Sequence, residues 1–275
     1  MSDCGRVRKR IERGWTQIID GELPLIAFAT LDLDSGEVFE LSTREREYAL
    51  ILIEGECEIE LSDGQENRLG PRANPFEHMP HAAFVSRGQK VVLRTRERSF
   101  LGVGCTPAEI NKVNAIVHPD MVRTSVRGVD NWTRQVRMVC WSDNTEGNLL
   151  IAGETCTPSG NWSTMPPHRH QYDIPGEEAA YEEVYFFRFS RPHGFGLIWQ
   201  FDEEGTLDQA FSLKTNDAVY IRKGYHPVVC APGSILYQLT LMAGSKRISK
   251  ASIHKDYGFL LEEKHLGNQY NPDGG

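Results

Sequence analysis

The stretch Pro166-Pro167-His168-Arg169-His170 decides how this chain is read. Two histidines at i and i+2 share a face if the segment is a strand, because side chains alternate with a period of two. After an acidic, proline-bearing loop over 171–181 comes Glu182-Glu183-Val184-Tyr185-Phe186-Phe187, an apolar and aromatic run expected to form the next strand. Residues 183, 185 and 187 share one face of that strand and 184, 186 and 188 the other, so Glu182 or Glu183 points inward, not both. Lys223-Gly224-Tyr225-His226-Pro227 adds a third histidine at a turn. Three imidazoles and a carboxylate delivered from neighbouring strands suit a divalent transition metal.

A lone histidine is more often structural than a ligand, and His118, His193, His254 and His265 are assigned that bland role. His78 and His81 lie in a loop-rich part of the first half with no carboxylate–imidazole set beside them, so that half is expected to be metal-free. The loop 171–181 is long for a hairpin. It is either a solvated acidic turn or a lid over the site.

Outward from this centre the pattern is β. Strands are expected over 24–33, 37–41, 48–53, 55–61, 82–85 and 90–95, with turn signals such as Asp34-Ser35-Gly36 and Asp63-Gly64 between them. Thr106-Pro107-Ala108-Glu109 is a capping-box sequence and predicts a short helix over 109–117. A second capping box, Thr206-Leu207-Asp208-Gln209, predicts one helical turn. Residues 118–131 look like a connection, after which strands resume over 134–141, 149–155, 183–189, 195–201, 218–221 and 236–242. The chain thus divides into a barrel over 1–130, a second barrel over 131–266 that carries the metal set, and a frayed tail over 267–275. Many short strands with Gly/Pro turns indicate an all-β sandwich or barrel fold.

Composition bounds the rest. With 275 residues, 40% hydrophobic and 25% charged, there is material for two domains or one large β domain. A net charge of −8 disfavours nucleic-acid and membrane partners, and an anionic substrate would need a locally basic pocket. Cys4, Cys57, Cys105, Cys140, Cys156 and Cys230 show no paired spacing, which favours free buried thiols and a reducing, cytoplasmic setting. The basic run Arg6–Arg13 is expected to be a solvated face or arm, because no apolar segment follows it. No run approaches the ~20 apolar residues of a membrane span.

The residues also carry a resemblance. His168-Arg169-His170, a glutamate on the next strand and Asn216-Asp217…Gly224-Tyr225-His226 resemble the two cupin motifs. Gly153-Glu154-Thr155, Asn161-Trp162-Ser163, Glu182-Glu183-x-Tyr185, Lys223-Gly224-Tyr225-His226-Pro227-Val228 and Met242-Ala243-Gly244 are similar to the 5-deoxy-glucuronate isomerases of myo-inositol catabolism. The resemblance is dense over residues 130–250 and thinner in the first half, around Asn74-Pro75-Phe76-Glu77. It implies a bicupin of two tandem double-stranded β-helix (jelly-roll) barrels, the second holding a metal through His168, His170, Glu183 and His226. Zn²⁺ is the expected ion, with Mn²⁺ or Fe²⁺ as alternatives. It further implies an aldose–ketose isomerase that converts 5-deoxy-D-glucuronate to 5-dehydro-2-deoxy-D-gluconate. Gln171, Arg222, Thr240 and Ser245 depart from the family's usual Asp, Pro, Asn and Pro.

Such an isomerase removes a proton beside an aldehyde through an enediolate, so it needs a proton-transferring group and a partner for the substrate carboxylate. Tyr185 shares a face with Glu183 and Tyr225 adjoins His226; each is a candidate to carry or relay the proton. Lys223, Arg247 and Arg188 are candidates for the carboxylate, Arg188 disfavoured by its phase opposite Glu183. The expected partner is a small-molecule sugar acid, with room for a homo-oligomer. Competing functions are another cupin metalloenzyme, such as a hexuronate isomerase or an iron dioxygenase, and a non-catalytic sugar-binding bicupin.

Overall fold

The computed structural model describes residues 4–62, 64, 66–143 and 147–261. The tail expected to fray over 267–275, and His265 with it, lies outside the described residues. Among the described residues the chain is all-β, as expected, apart from three short 3-10 segments. The first half builds a nine-stranded sheet in the order Ala115–Val117, His81–Val85, Arg46–Leu61, Ser99–Pro107, Ala27–Leu33 and Gly14–Ile19, with Glu66–Arg72, Lys90–Thr95 and Val38–Ser42 branching from it. Arg46–Leu61 is a single bent strand of 16 residues, where two strands were expected. Register shifts at Leu52/Glu54 and Gly55/Cys57 let it leave one set of partners and join another.

The second half has a seven-stranded sheet in the order Cys4–Arg8, Asp217–Ile221, Tyr181–Phe189, Leu236–Gly244, Ile151–Thr157, Arg134–Cys140 and Arg123–Arg127. A four-stranded sheet (Trp162–Ser163, Val228–Cys230, Gly196–Phe201, Asp208–Leu213) and the pair His168–Arg169 with Ser252–Ile253 complete it. Two strands from the first 130 residues, Cys4–Arg8 and Arg123–Arg127, therefore hydrogen-bond into the sheet of the second half.

Each half fills its own interior. Leu31, Leu50, Ile59, Leu93 and Leu101 pack the first, and Phe187, Ile198, Val219, Val228 and Leu236 the second. The largest cluster joins the two: Phe28, Ile51, Ile53 and Phe84 of one sheet meet Val184, Phe186, Leu239 and Leu241 of the other. The alternating strand sends Val184 and Phe186 to this back face, and burying such side chains is worth ~1.5–3 kcal/mol each. Close approach depends on Gly102 and Gly104, where an added Cβ would lie 2.6 Å from Leu239 Cδ2 and 2.4 Å from Leu241 Cδ1.

Three expectations are corrected. Residues 109–117 are not a helix; the segment is irregular until Ala115–Val117 pairs with His81–Val85. Edge pairing of Ile116 and Val117 prevails over the capping signal, and Ile110 and Val113 stay exposed. The turn at Thr206 is not helical either: the Asp202 carboxylate accepts the Thr206 amide and the following residues pass into Asp208–Leu213. The basic run near the start is not a solvated arm throughout, because Cys4–Arg8 is a strand and Arg8 pairs with the buried Asp217 at 2.6 Å. All six cysteines are free and buried. No helix among the described residues is long and apolar enough to cross a membrane.

Candidate metal centre

The strand Tyr181–Phe189 is the central plank of the site. It lies between Asp217–Ile221 and Leu236–Gly244, and its inward residues Tyr181, Glu183 and Tyr185 all line one cavity of about 300 Å³. Glu183 is 4% exposed. Its Oε2 is 2.9 Å from His170 Nε2 and 3.3 Å from His226 Nε2. Candidate ligand atoms of His170, Glu183 and His226 all lie within 4.8 Å of one another, the one such group among the described residues. His168 stands next to this tight group. Its ring centroid is 5.2 Å from that of His226, and it lines the same cavity.

Backbone carbonyls orient all three rings. His168 Nδ1 is 3.0 Å from Pro166 O, His170 Nδ1 is 2.8 Å from Tyr181 O, and His226 Nδ1 is 2.9 Å from Gly224 O. A carbonyl only accepts, so each Nδ1 carries the ring proton and each Nε2 is left as a lone pair. Two of those lone pairs then face a carboxylate oxygen, and His226 Nε2, fully buried, has no hydrogen-bond partner. Such an arrangement of acceptors is unfavourable until a cation stands among them. The donor set, three imidazoles and a carboxylate, fits a divalent first-row metal. Burial and the neighbouring His226 push the His168 imidazole down to about 3, which keeps it a neutral ligand.

Local sequence makes these positions. His168 and His170 alternate with Arg169, whose guanidinium lies over the rings of Tyr172 and Tyr225. Gly224 has φ +82° and a Cβ there would meet Leu207 Cδ2 and Phe201 O at 2.8 Å, so the turn before His226 requires glycine. Gln171, a departure from the family pattern, fastens this turn by accepting the Gly224 amide at 2.7 Å. Thr240, another departure, lines the cavity and accepts a bond from Gln238 Nε2. Arg222 adjoins Glu182 electrostatically. Ser245 follows the strand Leu236–Gly244 and is exposed.

The other candidates scatter. Tyr185 is 2% exposed and shares the cavity wall with Thr164 and Glu183; burial, then the negative charge of Glu183, raises it well above the ordinary phenol range. Tyr225 alternates with His226 and faces away, donating to Glu203 Oε1 at 2.8 Å between the rings of Phe201 and His254. Arg188 reaches Glu54 of the first half at 2.9 Å. Arg247 donates to Leu150 O and approaches Cys140 Sγ. Lys223 is part-buried beside the His226 turn and, like Arg188 and Arg247, does not line the cavity. The cations that do line it are Arg127, Arg134 and Lys250. The sequence signal for two of them is an arginine on each side of the Gly128–Trp132 turn.

The loop 171–181 folds onto itself and reaches the cavity wall through Tyr181 at its end. Glu178 is buried and accepts the amides of Gln171 and Tyr172 while pairing with Arg169. Residues 249–251, Ile253 and Leu261 wall the cavity as well. Glu182 leaves the strand on the face opposite Glu183. Its Oε2 accepts the amides of Leu25 and Ile26, because its face of the strand meets the first half.

Known proteins resemble this chain over most of its length. A 5-deoxy-glucuronate isomerase of Geobacillus kaustophilus is 28% identical over 245 residues, 89% of this chain and 88% of that protein. One from Halalkalibacterium halodurans is 27% identical, covering 93% and 97%. An iolB-like protein of Salmonella typhimurium LT2 superimposes with a TM-score of 0.88 at 25% identity, over 94% of this chain and 99% of that one. Oxalate decarboxylase from Lactobacillus farciminis shares the fold alone, with a TM-score of 0.65 at 10% identity over 97% and 94%. With a family model matched continuously over residues 8–260, the chain belongs to the KduI/IolB family.

Proposed function

We propose that the chain isomerises 5-deoxy-D-glucuronate to 5-dehydro-2-deoxy-D-gluconate, with a divalent metal, Zn²⁺ foremost, held by His168, His170, Glu183 and His226. The observation that carries this reading is the set of three imidazoles, each fixed through Nδ1 to a backbone carbonyl, two of them clustered with Glu183 and the third, His168, sharing the cavity wall with it. The curated relatives' shared name supplies the substrate. When bound, the metal supplies the positive charge that acidifies the C–H beside the aldehyde and offsets the enediolate charge.

The chain's own groups do the rest. Tyr185, held neutral between Thr164 and Glu183, keeps its proton on the hydroxyl and serves as a donor to a substrate oxygen, not as a base. Trp141, Val136 and Met242 give the cavity apolar wall that limits water. Tyr225 braces the His226 turn through Glu203. Six free buried thiols support a reducing, cytoplasmic setting.

The test is turnover of 5-deoxy-glucuronate by purified protein, followed by product identification, with elemental analysis alongside. About one metal per chain, activity lost to a chelator and regained on adding Zn²⁺, Mn²⁺ or Fe²⁺, is the expected result. A metal-loaded protein that leaves this sugar acid untouched overturns the proposal.

A further inference from the structure

We infer that Gln171 is a positioning residue for the metal centre: its side chain ties the segment of His170 to the turn of His226 and sets the spacing of the two imidazoles. The inference rests on the metal-centre reading of the site and names what holds two ligands from distant segments in one arrangement.

The contacts form a closed circuit. Gln171 follows His170 directly, and its Oε1 accepts the Gly224 amide at 2.7 Å. The carbonyl of the same glycine accepts from His226 Nδ1 at 2.9 Å. His226 Nε2 lies 3.3 Å from Glu183 Oε2, and His170 Nε2 lies 2.9 Å from that same oxygen. The path that leaves His170 through Gln171 thus returns to it through Glu183.

Both ends of the tether are anchored. Glu178, 3% exposed, accepts the Gln171 and Tyr172 amides on one oxygen at 2.6 and 3.0 Å, while Arg169 Nε reaches the other at 3.3 Å. His170 and Tyr181 are bonded in both directions: the Tyr181 amide donates to His170 O at 3.1 Å, and His170 Nδ1 donates to Tyr181 O at 2.8 Å. Their rings stack with centroids 3.9 Å apart. On the other side, Tyr225 exchanges two backbone bonds with Phe201, at 2.8 and 3.0 Å. Arg169 runs beside the tether as a second strap, its guanidinium 5.6 Å from the centre of the Tyr225 ring.

Gly224 is buried, and a buried amide left without an acceptor is costly. Removing the Gln171 oxygen therefore drives the turn to shift towards another partner or water. The Gly224 carbonyl moves with it, and the His226 ring follows its carbonyl. A donor set already held at its working spacing gives up less freedom on binding an ion than one gathered around it.

Hydrogen exchange at the Gly224 amide, with metal titration of the same proteins, tests this without turnover. In the metal-free parent that amide should exchange slowly. In Gln171→Leu, which keeps the bulk and removes the acceptor, it should exchange at least about tenfold faster. Zn²⁺ affinity, read by competition with a chelating dye, should fall about 10–100-fold, and the visible bands of the Co²⁺ form should shift. Gln171→Glu keeps an oxygen at the same reach and should restore slow exchange, the parent Co²⁺ bands and at least the parent affinity. Should Gln171→Leu not fold, Gln171→Ala carries the same test. Fast Gly224 exchange in the parent overturns the inference. So does a folded variant with lowered melting temperature but unshifted Co²⁺ bands and Zn²⁺ affinity within about threefold of the parent, because the bond is then structural only. A parent that takes up neither ion overturns the metal-centre reading and this inference with it; a parent that binds both while Gln171→Leu binds them equally well overturns this inference alone.

Discussion

Glu182 and Glu183 are adjacent in one strand, yet their carboxylates serve opposite halves of the molecule. Glu183 Oε2 faces His170 and His226 inside the second barrel. Glu182 Oε2 caps the amides of Leu25 and Ile26 in the first. Glu183→Gln removes the anionic donor, and metal affinity and turnover should fall by at least ~10–100-fold, read by elemental analysis and product formation. Glu182→Gln should keep the metal and cost about 1 kcal/mol of stability, read by denaturant unfolding. The reverse pattern would mean the strand's phase is misassigned.

The first barrel should prove dispensable for metal binding. His78→Gln with His81→Gln should leave metal content and turnover within about threefold of the parent. Loss of the metal from a folded double variant would relocate the centre.

His81 also predicts a pH dependence. Burial, then His118 and Arg72, push its imidazole down from 6.5 to about 4. Between those values the unfolded chain takes up a proton that the folded chain refuses. Stability therefore falls as pH drops from about 6.5 to 4 and this contribution levels off below. Unfolding midpoints across that window should decline less steeply in His81→Gln than in the parent. Parallel slopes would refute it.

A fourth prediction concerns the seam between halves. Arg72 and Glu154 are both 0% exposed and form a two-bonded ion pair across it, joined by Arg137 and the Tyr237 hydroxyl. Glu154→Gln leaves two buried guanidiniums without their counter-ion and should cost about 3–5 kcal/mol in urea unfolding. A loss under about 1 kcal/mol would show that the pair contributes little.

What the sequence made legible follows from period-two alternation. His168 with His170, and Glu183 with Tyr185, could be placed on shared faces because a strand leaves no choice. Alternation does not say what each face meets. Arg188 was rightly set opposite Glu183, but only the packed sheets reveal Glu54 as its partner. Tyr225 was grouped with His226 by adjacency, whereas neighbours in an extended segment diverge, and it turns to Glu203. Arg127 and Arg134, which line the cavity, were hidden for another reason: they are brought together by cross-strand register around a turn. The helix expected over 109–117 failed because its competitor, the edge of His81–Val85, lies about thirty residues upstream.

The strand Cys4–Arg8 pairs with Asp217–Ile221, from Cys4 opposite Ile221 to Arg8 opposite Asp217. On a ribosome elongating at about 5–20 residues per second, the first of these strands emerges at least ~10 s before its partner exists. The seven-stranded sheet of the second barrel can receive this edge strand only once Asp217–Ile221 has been made. The His226 turn follows directly on Asp217–Ile221, so the strand that leads into the metal centre is itself flanked by a segment more than 200 residues earlier in the chain.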